Sequence, residues 1–223
     1  MSQNQSFVTG EIYHVYNRGA SGQDIFLHEN DYIRFQRTLF ILNTHKRVEY
    51  KLTEQKSLKD IVHEPNEGLV KIHAYVLMKN HFHILIEQVS DGGISKFMSK
   101  LLTGYTMYVN RKYKRSGVLF QGLFKAKHVG DNQVYFDYLF SYVHLNPIKY
   151  IEPKWKEGII TDRKKVETFL SQYIYSSYLD YHHMIRDENI ILDSEYKIFE
   201  GKYGIDVQKT IDDWVKICSI QKV

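Results

Sequence analysis

Val70-Lys71-Ile72-His73-Ala74-Tyr75-Val76-Leu77-Met78-Lys79-Asn80-His81-Phe82-His83-Ile84-Leu85-Ile86-Glu87 decides the fold. Two β-rich runs, Val70 to Met78 and His81 to Glu87, are separated by Lys79-Asn80 alone. So short a connection joins antiparallel neighbours. Side chains alternate along a strand, so His81 and His83 share a face and Phe82 points the other way. Two neutral imidazoles side by side form half of a metal site. On spacing alone the commoner reading is two satisfied polar groups on a solvated face, and both readings stay open.

The chain of 223 residues, 43% of them hydrophobic, is long enough for one sizeable domain, or a domain with an appended segment. No apolar run approaches the length of a membrane span, so no membrane partner is expected. The opening Met1-Ser2-Gln3-Asn4-Gln5-Ser6 lacks the basic-then-apolar order of a secretory signal. One cysteine, Cys218, excludes an intramolecular disulfide framework and a multi-cysteine zinc site. The expected location is the cytoplasm.

Charge is concentrated. Between Ile94 and Gly130 lie Lys96, Lys100, Arg111, Lys112, Lys114, Arg115, Lys125 and Lys127, with no Asp or Glu. The rest of the chain carries 22 basic and 26 acidic residues, so the net +4 comes wholly from this window. Phe97, Tyr105, Tyr108, Tyr113, Phe120 and Phe124 are interleaved with the cations. Cations for phosphates and flat rings for stacking suit single-stranded nucleic acid. Solvated helix faces usually mix both signs, which this one does not.

The remaining chain fills in an α+β plan. Glu11 to Arg18 reads as a strand, and Asn30 or Asp31 caps a helix through Leu42. Residues 44–68 look like a surface excursion. Ile94 to Lys114 is an amphipathic helix with Phe97, Leu101, Tyr105 and Tyr108 at helical spacing. Val118 to Val129 reads as loop plus strand. Asp131 or Asn132 caps a helix expected to end near Asn146, because Pro147 disfavours α geometry in the residue before it. A charged helical piece covers Arg163 to Leu170. Strands mixed with long helices, without regular βαβ alternation, indicate an antiparallel sheet with helices packed on it.

On the helix before Pro147, Tyr142 and Asn146 are four residues apart and share a face. A phenol and an amide so placed could meet the two imidazoles across a groove. With eighteen tyrosines in the chain, spacing alone does not select Tyr142. His144 points about 200° around the helix from it and receives no role. His14 and His73 read as strand packing or polar-face residues, and His182-His183 as solvated tail.

Three segments in order carry a resemblance: Tyr13-His14-Val15-Tyr16-Asn17-Arg18-Gly19, Ala74 to His83, and Tyr142-Val143-His144-Leu145-Asn146-Pro147. Together they resemble the single-tyrosine HUH (His–hydrophobic–His) transposases of bacterial insertion sequences, and most closely the REP-associated tyrosine transposases. Asn110-Arg111-Lys112-Tyr113, Gly117-Val118-Leu119-Phe120-Gln121-Gly122 and Tyr175-Ser176-Ser177-Tyr178 extend the likeness, which runs from about residue 10 to 182. Lys79 stands where the family usually has proline, and Leu123-Phe124-Lys125 replaces a more basic segment.

The resemblance implies a ferredoxin-like, RRM-like HUH catalytic domain over residues 1–150, with a tail, 151–223, packed on or beside it. It implies cleavage and rejoining of single-stranded DNA at hairpin-containing sites. Tyr142 would attack phosphorus to give a 5′-phosphotyrosine. His81, His83 and Asn146 would hold Mg²⁺ or Mn²⁺, with no nucleotide cofactor. Candidate DNA contacts are Asn17, Arg18, Lys96, Lys100, Arg111, Lys112, Lys114, Arg115, Gln121, Lys125 and Lys127. A monomer is favoured over a homodimer, located with the nucleoid when bound to DNA. Two other classes compete: a domesticated DNA-hairpin-binding protein of the same fold without mobilising activity, and a structural-metal or RNA-processing module using the same basic strip.

Overall fold

Strands β2 (Val70–Met78) and β3 (His81–Gln88) form the expected antiparallel hairpin, with Met78 opposite His81 across Lys79-Asn80. In this computed structural model, which describes residues 6–61, 68–130, 132–182, 184–193 and 214, two further strands complete the sheet. Strand β1 (Ile12–Arg18) pairs antiparallel with β3, placing Arg18 opposite His81 and Tyr16 opposite His83. Strand β4 (Lys125–His128) pairs with β1, placing Lys125 opposite Tyr16 and Lys127 opposite His14. The order is β2-β3-β1-β4. Helix α1 (Glu29–Ile41) connects β1 to β2 and helix α2 (Gly93–Lys112) connects β3 to β4. This β-α-β-β-α-β sequence is the ferredoxin-like split βαβ arrangement, an α+β fold.

Alternation divides the sheet into two faces. Val15, Tyr75, Leu77, Phe82 and Ile84 are fully buried. Phe82 packs 5.2 Å from Phe35 of α1, whose ring meets Tyr105 of α2 edge-on at 4.9 Å. Phe97 and Tyr105 are therefore core residues, as is Phe120, and they cannot stack on bases as the interleaved pattern suggested. The spacing 97, 101, 105 turns these side chains toward the sheet, away from the cations. The Tyr105 hydroxyl donates to the Ile25 carbonyl at 2.8 Å.

Helix α1 begins two or three residues earlier than expected. His28 is its N-cap, and Asp31 occupies the third helical position. The buried Asp31 carboxylate accepts from the backbone amides of Leu27 and His28, from the hydroxyls of Tyr108 and Tyr113, and from Lys112 Nζ at 2.6 Å. It thereby pins the end of α2 to the start of α1. Burial alone would raise its pKa, but the donors from Lys112, Tyr113, Tyr108 and the His28 backbone hold it at about 2 against the ordinary 3.8. A depressed folded-state pKa gives stability that is complete above the unfolded value and lost as pH falls through the folded one. Asp31→Asn is expected to lower unfolding free energy at neutral pH by about 3 kcal/mol. Urea titrations should find this deficit shrinking as pH drops from 4 toward 2. A deficit independent of pH would remove the carboxylate's charge from the account.

The second face carries helix α3 (Gln133–Leu145), where Asn132 Oδ1 caps by accepting from the Tyr135 amide at 3.0 Å. Asn146 keeps α geometry (φ −53°, ψ −38°) in spite of Pro147. The proline instead opens a 3-10 turn, Asn146–Tyr150, as it can where the first turn has spare donors. Beyond it lie a turn at Trp155–Glu157 and helix α4 (Arg163–Gln172). Tyr175-Ser176-Ser177 then runs along the outer edge of β2: the Leu77 amide donates to the Tyr175 carbonyl and the Ser177 amide to the Tyr75 carbonyl. That edge is thus closed to other strands. His144 is buried and shares a 2.8 Å hydrogen bond with Ser177 Oγ, so its part is structural. His182 packs on the Tyr178 ring at 4.2 Å and is not the solvated residue expected; His183 lies outside the described residues.

Candidate active site

Residues directly opposite in adjacent strands point to the same face. Lys127 with His14, Lys125 with Tyr16 and His83, and Arg18 with His81 therefore form rows across β4, β1 and β3, on the face covered by α3. Tyr142 descends from α3 onto this face. Its ring centroid is 5.2 Å from that of His83 and 6.1 Å from that of His14, and His81 meets His83 edge-on at 5.1 Å. Asn146, one helical turn on, is buried beside His81. The fold brings Tyr142, His81, His83 and Asn146 into one cluster.

The two imidazoles are oriented by outer partners. His81 Nδ1 lies 2.7 Å from Asn80 Oδ1, and a proton there leaves Nε2 with a free lone pair. His83 Nδ1 lies 2.9 Å from His14 Nε2, and Nδ1–H donating to His14 frees His83 Nε2 in the same way. Such partners fix ring orientation in metal-binding histidines. Burial lowers the His81 pKa to about 4, aided by Lys149, and holds His83 well below its ordinary 6.5, so both rings are neutral near pH 7. Asn146 Nδ2 is buried without a hydrogen-bond partner. Two imidazole nitrogens, with the Asn146 side-chain carbonyl as a third donor atom, fit a divalent cation with positions left for oxygen ligands. Among the described residues no three His, Cys, Asp or Glu side chains gather tightly enough to hold a metal by themselves.

His14 had no role in the sequence reading. Its place beside His83 depends on strand register, which alternation within β1 does not reveal. Two lysines were also missed. Lys156 Nζ donates to Tyr142 Oη at 3.1 Å, and Lys149 and Lys156 both act electrostatically on His81 and His83. The Tyr142 ring is walled by Tyr138, Trp155 and Trp214, whose centroids lie 6.3, 5.8 and 5.9 Å away.

The candidate DNA contacts separate into three places. Arg18, hydrogen-bonded to Gln121, joins Lys125 and Lys127 beside the cluster. Lys96 and Lys100 lie near the start of α2, where Lys100 Nζ donates to the carbonyls of Thr44 and Lys46. Arg111, Lys112, Lys114 and Arg115 lie at its far end, where Lys112 is held by Asp31 and Arg115 by Gln23. Asn17 is buried on the opposite sheet face, donating to the Gly122 carbonyl and accepting from the Arg18 amide. Its side chain serves the strand end.

A family model described as "Transposase IS200 like" matches residues 36–146, about half of the chain. A solved structure titled "Structure of the REP associates tyrosine transposase bound to a REP hairpin" is similar in fold, with TM-score 0.50, 11% identity, and coverage of 84% of this chain and 90% of that one. No protein among the curated sequences matches.

Proposed function

We propose, from the premise that this chain belongs to the IS200-like transposase family, that it cuts and rejoins single-stranded DNA at hairpin-containing sites through a 5′-phosphotyrosine at Tyr142. The observation that carries this reading is the convergence of a half-buried tyrosine on two oriented, neutral imidazoles. The structural relative's hairpin ligand supports the substrate class.

In the cutting step Tyr142 Oη forms a bond to the backbone phosphorus and the bond from phosphorus to the 3′ oxygen breaks. The phenol's proton is balanced by the one the departing 3′ oxygen acquires through solvent. Bond energy is conserved in the phosphotyrosine, so a 3′-hydroxyl can later reverse the step without a nucleotide cofactor. Tyr138, Trp155 and Trp214 restrict the nucleophile's ring to the cluster. His81 and His83 through Nε2, with the Asn146 carbonyl, would hold Mg²⁺ or Mn²⁺, and softness of the imidazoles favours Mn²⁺. When bound, the ion supplies electrostatic stabilisation of charge on the phosphoryl oxygens. Asn80 and His14 keep the two rings aimed.

Arg18, Lys125 and Lys127 flank the cluster and suit phosphates on either side of the scissile bond. Removing both β4 lysines (Lys125→Ala with Lys127→Ala) is expected to lower the log–log salt slope of hairpin binding by about 1.4, at roughly 0.7 per phosphate contact on a single strand. A slope unchanged across a salt series would move the DNA path off β4. Residues 1–150 constitute the catalytic domain in this reading and 151–223 a tail beside it. The covered β2 edge supports a monomer over a strand-paired homodimer. No described helix is long and apolar enough to cross a membrane, and a DNA substrate puts the protein in the cytoplasm, on the nucleoid.

The test is covalent trapping: a mixed pool of labelled single-stranded hairpins, with Mn²⁺ or Mg²⁺, should give a denaturant-resistant protein–DNA adduct. Salt-sensitive hairpin binding with no adduct from any of them would favour a binding protein of the same fold.

A further inference from the structure

The groups crowding Tyr142 come from five places: His14 on β1, His83 on β3, Tyr138 on α3, Trp214, and the segment after α3 that bears Trp155 and Lys156; Lys149 stands on the same segment, in the 3-10 turn that begins at Asn146. The charged groups that act on His81 and His83 are the ammonium groups of Lys149 and Lys156. Among the described residues neither Lys149 nor Lys156 forms a salt bridge. Lys149 is half-buried, and burial first, then Lys156, lowers its pKa. Two uncompensated ammonium groups beside a buried polar cluster repel one another, and an anion seated between them recovers that free energy. The distance from Lys156 Nζ to Tyr142 Oη, 3.1 Å, adds a specific contact to the one atom that must gain and lose negative charge.

We propose that Lys156 is a catalytic residue that stabilises charge on Tyr142 Oη, and that Lys149 and Lys156 together seat the scissile phosphodiester. The inference rests on the transposase reading above. An ammonium donor cannot take the phenol's proton, so Lys156 acts by hydrogen bonding and charge. In cutting, it stabilises the oxygen as the Oη–P bond forms and the P–O3′ bond breaks. In rejoining, the incoming 3′-hydroxyl bonds to phosphorus, the Oη–P bond breaks, and Lys156 stabilises the departing phenolate until it regains a proton. The same contact thus serves both directions.

Lys156→Met keeps an unbranched apolar stem and removes the ammonium group, whose Nζ lies 4.9 Å from the Tyr142 ring centroid. With saturating hairpin DNA and Mn²⁺, its single-turnover rate of adduct formation should fall about 100-fold, the scale of losing one preorganised donor. Mn²⁺ affinity should be unchanged. Lys156→Arg should recover most of the rate, and methylammonium should partly rescue Lys156→Ala, which a merely structural residue would not permit. An unchanged rate in Lys156→Met, or a loss that neither arginine nor methylammonium relieves, overturns the catalytic role. A second arm does not need cleavage. In the Tyr142→Phe background, replacing both lysines by methionine should reduce the salt slope of hairpin binding by about 1.4. An unchanged slope overturns the phosphate seat. A wild-type protein that forms no adduct at all would defeat the transposase reading, while the slope would still decide whether the lysine pair holds phosphate.

Discussion

Tyr142→Phe is expected to abolish adduct formation, a loss of at least about 10⁴-fold, while hairpin binding persists. The substitution removes one oxygen. The phenylalanine ring keeps the packing against His83, Tyr138, Trp155 and Trp214. What disappears is the bond from Lys156 and the only atom that can attack phosphorus from this position. A half-buried hydroxyl with one donor contributes about 1 kcal/mol, so thermal unfolding should move little. Loss of activity with an intact fold is the signature of a nucleophile. Neighbouring Tyr138 is no substitute, because it lies one turn back on α3 and its ring stacks on Trp214 at 5.1 Å.

His83→Ala is the second large effect. His83 is 7% exposed and sits between His14 and Tyr142, so the change removes a ligand, deprives His14 of its partner and loosens the nucleophile's wall. Adduct formation should fall about 10³-fold, roughly 4 kcal/mol of transition-state stabilisation. Calorimetry should find Mn²⁺ binding lost in the DNA-free protein, a readout independent of cleavage. His14→Ala separates orientation from ligation: it leaves both ligands in place and should weaken Mn²⁺ only ten- to a hundredfold. Equal losses in the two variants would make His14 a ligand; full Mn²⁺ affinity in His83→Ala would remove the metal from this cluster.

The hairpin was legible because a two-residue gap between β-rich runs admits one arrangement, and alternation then fixes His81 and His83 on one face. Tyr142 was not legible from spacing, since Tyr135 and Tyr138 share its helix; the motif around Pro147 singled it out. His14 stayed hidden because cross-strand register is a long-range property. Lys149 and Lys156 were hidden by Glu152 and Glu157, which make their segment look like an ordinary mixed-charge surface. The basic window misled in another way. A helix rises 1.5 Å per residue, so Lys96 and Arg111 stand about 22 Å apart. One run of sequence therefore feeds three separate patches, one of which is partly held by Asp31. Phe97 and Tyr105 in the same run went to the core because the helix presents one face to the sheet.

The most direct measurement is site mapping of the trapped adduct. Tryptic digestion yields one peptide from His128 to Lys149 that holds Tyr135, Tyr138 and Tyr142, and fragmentation of it locates the nucleotide. The account predicts a phosphodiester on Tyr142 alone, joined to the 5′ phosphate of the fragment downstream of the cut and formed only when the divalent ion is present. A nucleotide on any other tyrosine, or an adduct formed equally well in chelator, would contradict it.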